Sequence, residues 1–335
     1  MLRLIALDGA TQALDPRSGS SMLNALAPDL ASDTALLRLA EWLRDAGHSF
    51  VTPTPATIAR VNARSGNEWA SDLRGVFGWS RPFRDEVVPP ALAAAMQDAG
   101  AWGQHPGGAR SLLRASSLDG EMFLHSSYPT TAADAVFFGP DTYRYAGAIL
   151  AHRRTAPVAR AVDIGCGAGP GAILVARAYP SAEVLAVDIN DAALRLTRAN
   201  AALAGVQVHA INSNLLLGVQ GSFDLIVANP PYLVDPGERA YRHGGGLLGA
   251  GLSLAILDAA LGRLAPGGTL LLYTGAAVVN GIDPFREAAA TRLAGLKAAW
   301  AYHELDPDVF GEELEGGAYA AADRIAAVLL TVTKE

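Results

Sequence analysis

Cysteine and lysine are scarce in this sequence. Cys166 is the only cysteine among 335 residues, and Lys297 and Lys334 are the only lysines. A single cysteine excludes an intramolecular disulfide framework and a zinc site built on several cysteines. It is typical of a protein of the reducing cytoplasm, where we expect this one. Nearly all positive charge is therefore arginine, which we attribute to genome composition rather than to a functional surface.

Long hydrophobic runs and an excess of positive charge are also lacking. Half of the residues are apolar, but no stretch reaches the roughly 18 consecutive apolar residues that span a bilayer. The N-terminal segment contains Asp8 and Asp15 and does not read as a signal peptide, so we expect no membrane association. The net charge of −7 disfavours nonspecific binding to nucleic acid, which depends on phosphate neutralisation. It does not exclude a local basic patch.

The first part of the chain has the pattern of a small, mainly helical domain. We expect residues 1–24 to be loosely ordered and residues 25–130 to form this domain. A change to strand pattern over residues 111–127 centres on Asp119-Gly120, a dipeptide typical of a tight hairpin turn. Spacing and capping signals predict helices over 28–47, 54–63, 69–78 and 89–99.

Residues 131–335 show a regular alternation of short apolar runs and helical segments. Short apolar runs separated by helices are typical of a doubly wound α/β domain, whose mostly parallel sheet is covered on both faces. The apolar runs are residues 158–164, 183–188, 206–211, 223–228, 269–274 and 325–332. The helical segments are residues 170–179, 191–204, 251–265 and 284–295.

The first apolar run ends in a glycine-rich turn with the sequence DIGCGAGP, residues 163–170. Glycines after the first strand let a ligand approach the backbone closely, and the next helix presents free N–H groups there. A dinucleotide site would need a third glycine at position 170, where Pro170 stands. Asp163 is also unsuited to a pyrophosphate, whereas a cofactor with a cationic amino group would favour it. The pattern therefore favours S-adenosylmethionine (SAM) over NAD.

A second acid, Asp188, ends the next apolar run, where it can accept hydrogen bonds from ribose hydroxyls. Together, DIGCGAG and the VDIN sequence of residues 187–190 resemble motifs I and II of the class I SAM-dependent methyltransferases. That resemblance implies a Rossmann-like, seven-stranded, mostly parallel sheet whose last strand is antiparallel. Residues 298–305 and 325–332 fit its sixth and seventh strands.

The resemblance also implies which residues bind SAM. Asn214 follows the third strand, where an acidic residue that binds the adenine amine is usual. A segment before the first helix, residues 136–142, covers the cofactor in the same families, although here it can equally be an ordinary capped helix start. The implied cofactor-binding residues are Asp163, Gly165, Cys166, Gly167, Gly169, Asp188, Ile189, Asn214, Asn229, Phe138 and Thr142.

The fourth strand leads directly into Asn229, Pro230, Pro231 and Tyr232, which we expect to carry the catalysis. The nitrogen of an amide or a nucleobase amine is a poor nucleophile because its lone pair is delocalised. The Asn229 side-chain oxygen and the Pro230 carbonyl can accept its two N–H bonds, and the two prolines hold these acceptors in place. Tyr232 offers a flat face for stacking. The pattern predicts methyl transfer to a planar nitrogen.

This NPPY tetrapeptide resembles motif IV of the amino-methyltransferases, and two substrate classes stay open. Resemblance to the release-factor enzymes favours a glutamine side chain of a protein, with residues 25–130 recognising the substrate. The alternative is an exocyclic base amine of RNA or DNA. Arginines with aromatic neighbours would then form a stacking surface that comprises Phe77, Trp79, Arg81, Phe83 and Arg84.

Two other functions conflict with the sequence. A SAM-binding protein without catalysis conflicts with the retained NPPY turn, and an NAD-dependent enzyme conflicts with Pro170.

The glycine-rich residues 241–246 are predicted to be either a mobile lid or a plain flexible loop. We expect His125 to be structural, and we find no spacing typical of metal ligands and no indication of an oligomeric state. The acidic residues Glu312, Glu313 and Glu315 are expected to be a solvated charged run.

Overall fold

The computed structural model describes residues 33–152, 156–237, 239 and 241–335. The expected loose order of residues 1–24 lies outside these residues, as does the start of the first predicted helix. The described part of helix α1 covers residues 33–45. The chain leaves it through Gly47, whose φ of 72° suits a helix-terminating glycine.

Three further short helices follow, and local capping sets their ends. Helix α2, Pro55–Asn62, begins at Thr54, whose side chain accepts a hydrogen bond from the Thr57 amide, as the sequence predicts. Helix α4, Pro90–Asp98, also agrees with the prediction. The helix predicted over 69–78 is shorter, because Asp72 is extended and caps helix α3, Leu73–Phe77.

Two β-hairpins complete the N-terminal part. Strands β3, Leu113–Leu118, and β4, Glu121–Ser126, pair antiparallel around Asp119-Gly120, which confirms the predicted hairpin. Both turn residues have positive φ, as a type I′ turn requires. A hairpin that the sequence analysis missed precedes it and pairs β1, Trp102–His105, with β2, Gly108–Ser111.

A seven-stranded sheet dominates the rest of the chain. Its strand order is β10-β11-β9-β8-β5-β6-β7, and β11 is antiparallel to both of its neighbours while the other pairings are parallel. The predicted seven-stranded, mostly parallel architecture with an antiparallel last strand is confirmed. The strands are β5 (Arg160–Ile164), β6 (Glu183–Asp188), β7 (His209–Asn212), β8 (Phe223–Ala228), β9 (Leu264–Val278), β10 (Ala298–Asp306) and β11 (Arg324–Lys334).

Helices cover both faces of this sheet and define two apolar cores. One core contains apolar side chains of α8, Gly251–Leu261, and α9, Pro284–Leu293. The other contains those of α5, Pro140–Ala151, α6, Pro170–Ala178, and α7, Asp191–Leu203. This second core continues without a break into the N-terminal helices and hairpin, so the two parts of the molecule share one buried cluster. Short 3-10 turns cover Asp85–Val87, Leu247–Gly249, Gly311–Glu315 and Gly317–Tyr319.

Asn200 on α7 joins the two parts with three hydrogen bonds. Its side-chain oxygen accepts from the Leu124 amide at 2.8 Å, and its nitrogen donates to the Leu124 carbonyl at 3.0 Å. The same nitrogen donates to the Ala168 carbonyl in the glycine loop at 2.9 Å. One buried amide therefore connects the second hairpin to the loop after β5. Within the described ranges, no helix combines the length and apolarity that crossing a bilayer requires.

Candidate functional site

The carboxyl ends of β5, β6 and β8 meet around one cavity of about 240 Å³. Loops after parallel strands converge at this edge of an open sheet, at the point where the strand order reverses. The cavity brings together most of the residues predicted for the site: Gly165, Cys166, Gly167, Asp188, Ile189, Asn214, Thr142, Asn229, Pro230, Pro231 and Tyr232.

The glycine loop is held open by its backbone conformation. Gly165, Gly167 and Gly169 all have positive φ, at 71°, 55° and 85°, which few other residues adopt without strain. The Asp188 carboxylate accepts hydrogen bonds from the Gly167 and Asn190 amides at 3.0 and 2.9 Å, and burial raises its pKa. Two strand ends are thereby tied together, and the Asp188 carboxylate lines the cavity.

Asp163 is placed differently from the prediction. It does not line the cavity but lies behind it, 1% exposed. One carboxylate oxygen accepts from the Tyr145 hydroxyl and the other from the Ala172 amide, both at 2.9 Å. Burial raises the pKa of Asp163 to about 7. Its position supports the turn from β5 into α6, with Tyr145 between it and the cavity.

Phe138 and Gly169 are also outside the cavity lining. The Phe138 ring stacks on His125 at a centroid distance of 4.9 Å and packs against Phe123 at 5.6 Å, within the shared core. Its neighbour Phe137 lines the cavity instead. The sequence thus indicated the right segment but the wrong phenylalanine, because successive side chains of an extended backbone point to opposite sides. Gly169 serves as the cap of α6.

Asp141 lies in the segment, residues 136–142, that the resemblance places over the cofactor, but it was not among the predicted cofactor-binding residues. It lines the cavity, 6% exposed, and accepts a hydrogen bond from the Tyr273 hydroxyl at 2.6 Å. Arg144 lies 3.4 Å from it but pairs more closely with Asp306, at 2.6 Å. Burial raises the pKa of Asp141. Only its position beside Thr142 could have drawn attention to it, because the hydrogen-bond partner is 132 residues away.

The NPPY turn forms the wall opposite the glycine loop. The half-buried Asn229 lines the cavity, and its side chain forms no hydrogen bond with any residue of the described ranges. Tyr232 is more deeply buried than a stacking platform would require, since one face of its ring covers Gly275 of β9. A Cβ at position 275 would lie 2.1 Å from the ring. The edge of Phe310 contacts the same ring at 5.9 Å between centroids.

The glycine-rich segment after the NPPY turn packs tightly against it. Backbone hydrogen bonds link Gly244 to Leu233 at 2.8 Å and Leu252 to Gly244 at 2.7 Å. A side chain at Gly244 would meet the Gly249 carbonyl oxygen at 2.0 Å. The glycines therefore allow three backbone segments to approach closely, which gives a packing reason for this composition.

Side chains of the same segment frame the cavity mouth. The Tyr241 ring stacks on Phe137 at 6.4 Å, and its hydroxyl donates to the Thr130 carbonyl at 2.6 Å. Arg242 also lines the cavity and forms an ion pair with Glu313. The sequence suggested that Glu313 belongs to a solvated acidic run. In the structure it instead pairs with an arginine that lines the cavity.

The predicted nucleic-acid stacking surface is only partly at the surface. Phe77 and Phe83 are fully buried in the core, so this part of the prediction is wrong. Phe77 packs into the core from α3, and Phe83 does so from a single antiparallel bridge to Ala109 of β2. Trp79 and Arg81 are half-buried, and Arg84 is exposed. In the described part of the chain, no group of His, Cys, Asp and Glu side chains is placed to hold a metal ion.

Comparison with known proteins matches this site region to methyltransferases. The model of the methyltransferase small domain family matches residues 131–278. A release factor glutamine methyltransferase of Deinococcus radiodurans is 35% identical over 207 residues, which cover 58% of this chain and 70% of that protein. Its counterpart of Bordetella pertussis is 32% identical over 56% of this chain and 72% of its own length. A ribosomal RNA small subunit methyltransferase C of Serratia proteamaculans is 37% identical over only 22% of this chain and 21% of its own.

Proposed function

From the premise that this chain belongs to the release factor glutamine methyltransferase family of class I SAM-dependent methyltransferases, we propose that it methylates the side-chain nitrogen of a glutamine in a protein. The chain is a methyltransferase, and the proposal concerns its cofactor and its acceptor. The observation that carries it is the position of Asn229 and Pro230, which line the same cavity as the glycine loop and Asp188.

The residues of the cavity fit SAM as the cofactor. Asp188 offers a carboxylate at the end of β6 to the ribose hydroxyls, and Ile189 and Leu215 offer apolar contacts for a flat base. Asp141 is the acid that we assign to the cofactor's ammonium group. It is a buried carboxylate on the cavity wall, and because burial raises its pKa, a cation beside it would be favoured. Asp163 would act indirectly, through Tyr145.

The NPPY turn would hold the acceptor nitrogen. The Asn229 side-chain oxygen and the Pro230 carbonyl each accept one amide N–H, which fixes the plane of the glutamine amide and favours positive charge on its nitrogen. SAM, when bound, would supply the methyl group. The glutamine nitrogen would take it as the S–C bond breaks, S-adenosylhomocysteine would leave, and one N–H proton would pass to solvent. Pro230 and Pro231 hold the two acceptors in place before the substrate arrives, so little ordering remains to be done on binding. Phe137, Tyr241 and Phe310 exclude water at the mouth.

Transfer of labelled methyl tests both the reaction and the acceptor. Purified protein is incubated with methyl-labelled SAM and an intact bacterial release factor, and the product is digested and analysed by mass spectrometry. We expect one methyl group on a glutamine side-chain nitrogen. Label on glutamate or lysine would contradict the assignment of the planar nitrogen.

A parallel reaction in cell extract tests the alternative acceptor, an exocyclic base amine. Labelled material is treated separately with protease and with nuclease. We expect the macromolecular label to be released by protease and retained after nuclease. Release by nuclease alone would replace the glutamine proposal by nucleic-acid methylation.

A further inference from the structure

Five arginines of the N-terminal region lack the ion pairs that 11 of the 20 described arginines form. We call Arg60, Arg64, Arg74, Arg81 and Arg84 the arginine surface. Among the described residues, none of the five lies within ion-pair distance of a carboxylate. By contrast, acidic partners are found for Arg38, Arg44, Arg144, Arg160, Arg177, Arg195, Arg198, Arg239, Arg242, Arg292 and Arg324. The contrast marks these five guanidinium groups as free of direct ion pairs within the described ranges. The acids of the same stretch, Glu68, Asp72, Asp85 and Glu86, lie beyond ion-pair distance of them.

Aromatic rings hold three of these guanidinium groups. Arg74 lies over Phe50 at 5.7 Å, and Arg81 lies over Trp79 at 5.8 Å. The Phe50 and Trp79 rings contact each other edge to face at 5.1 Å, so the two arginines are neighbours. Arg84 lies over the Trp69 ring at 4.8 Å. Arginines fixed on rings lose little freedom when they bind an anionic group.

The arginine surface is continuous with the entrance of the candidate site. The Asn62 side chain, at the end of α2, donates to the Trp79 carbonyl and accepts from Arg81, both at 2.9 Å. Arg60 is exposed on the same helix, and Pro55 at its first turn lines the cavity. A helix of eight residues is about 12 Å long. The arginine surface therefore lies within about one length of α2 from the cavity, close enough for a folded partner that inserts one residue there to reach it.

We propose that the arginine surface docks an acidic face of the protein whose glutamine enters the cavity, an inference that rests on the proposed function. Arginine and tryptophan are the residues that contribute most often to protein–protein binding energy. An RNA partner is less favoured, because Arg74, Arg81 and Arg84 occupy ring faces on which bases would stack.

Charge reversal distinguishes docking from catalysis. The variant Arg60→Glu/Arg64→Glu/Arg74→Glu is assayed with an intact bacterial release factor and with a short peptide that carries its accepting glutamine. We expect kcat/KM for the intact protein to fall about 10- to 100-fold at low ionic strength, the range of electrostatic steering. The peptide should keep its kcat/KM within about twofold, because it is too short to reach the surface.

A matched pair of single variants controls for charge alone. Arg286 is exposed and lies over Tyr302 at 5.5 Å, with no acidic partner among the residues described, much as Arg74 lies over Phe50. Arg74→Glu should slow methylation of the intact protein, and Arg286→Glu should not. Equal effects of the two would overturn the docking proposal, since net charge alone would then explain them.

The remaining outcomes separate this inference from the proposed function. Unchanged kcat/KM of the triple variant on the intact protein would overturn the docking surface and leave glutamine methylation standing, and so would an equal loss on the peptide. Wild-type binding of a mixed-sequence single-stranded RNA, abolished in the triple variant while protein methylation stays unchanged, would reassign the surface to RNA. Failure of the wild type to methylate either glutamine probe would overturn the proposed function and this inference with it.

Discussion

The N-terminal region, residues 33–130, and the methyltransferase region, residues 131–335, both bury ionisable side chains, but of opposite sign. The N-terminal region buries Arg114 and His125, at 3% and 1% exposed, and the methyltransferase region buries Asp141 and Asp163, at 6% and 1%. Burial disfavours the charged form in every case. It lowers the pKa of Arg114 to about 10 and that of His125 well below its usual value, and it raises the pKa of both carboxyls.

The two sets of buried groups have different partners. Arg114 donates to the Gly78 carbonyl at 2.9 Å and to the Thr52 hydroxyl at 3.1 Å, so its bonds join separate segments of one small domain. Asp141 lines the cavity, and Asp163 lies behind it and accepts a hydrogen bond from Tyr145, which lines it. A small domain thus uses buried polarity to connect short elements, whereas the sheet domain places it beside a ligand site.

The largest expected effect separates chemistry from binding in the methyltransferase region. In Asn229→Ala, turnover should fall about 1000-fold, because one fixed acceptor of the developing charge is lost. SAM affinity should stay within about threefold, as measured by calorimetry. Asn212→Ala, at the end of β7 and outside the cavity lining, is the control and should retain activity. Equal losses of turnover and SAM affinity at Asn229 would contradict its assigned role.

The second prediction tests whether the two regions are coupled through Asn200. In Asn200→Asp the donors to the Leu124 and Ala168 carbonyls are lost and a carboxylate faces both oxygens. We expect a loss of about 3 kcal/mol in the free energy of unfolding and at least about tenfold weaker SAM binding. Asn67→Asp, which loses a donor to Val61 within the N-terminal region, should reduce stability alone. Unchanged SAM binding in Asn200→Asp would show that the hairpin is not coupled to the glycine loop.

The third prediction concerns the raised pKa of Asp163. Between about pH 4 and pH 7 the unfolded chain releases this proton while the folded chain keeps it, so the free energy of unfolding falls as pH rises. Asp163→Asn keeps the hydrogen-bonding shape and should remove this part of the pH dependence, on the order of 2 kcal/mol between pH 5 and pH 8. Denaturant titrations of both proteins measure it. If the free energy of unfolding changed with pH in the same way in both proteins, the pKa of Asp163 would not be raised.

The fourth prediction reverses the sign in the N-terminal region. Below about pH 6.5 His125 takes up a proton in the unfolded chain but stays neutral in the fold, so stability falls as pH falls. The His125→Gln variant should lose less stability than wild type between pH 6.5 and pH 5, by on the order of 1 kcal/mol. The same titrations apply. If wild type lost no more unfolding free energy than His125→Gln over this pH range, the pKa of His125 would not be lowered. The contrast in sign between the two regions would then not hold.

The smallest expected effect lies at the surface between the regions. Arg177 of α6 pairs with Glu121 of β4 at 2.8 Å, with side chains 40% and 21% exposed. Solvent and salt screen such a pair, so Arg177→Ala should cost less than about 1 kcal/mol of unfolding free energy. The difference from wild type should shrink further in 1 M salt. A loss above about 2 kcal/mol would mean that this ion pair, and not the buried contacts of Asn200, holds the hairpin.

Local signals in the sequence were enough for most of the fold. Apolar runs located six of the seven sheet strands, with β6 and β8 placed to the residue, and the resemblance placed β10. Asp119-Gly120 located the second hairpin. Periodicity overextended α3, because a single cap at Asp72 decides where that helix begins. The first hairpin was missed because Trp102–His105 has too few apolar residues to alternate.

What the sequence by itself determined was the edge of the sheet at which the site lies. Glycines that need positive φ, an acid at the end of β6 and a proline-stiffened turn after β8 are local requirements, and parallel strands carry them to one place. What only the tertiary structure decided was which carboxylate faces the cavity. Asp141 and Asp163 differ by contacts with Tyr273 and Tyr145, and such contacts depend on how helices pack on the sheet, which no spacing along the chain encodes.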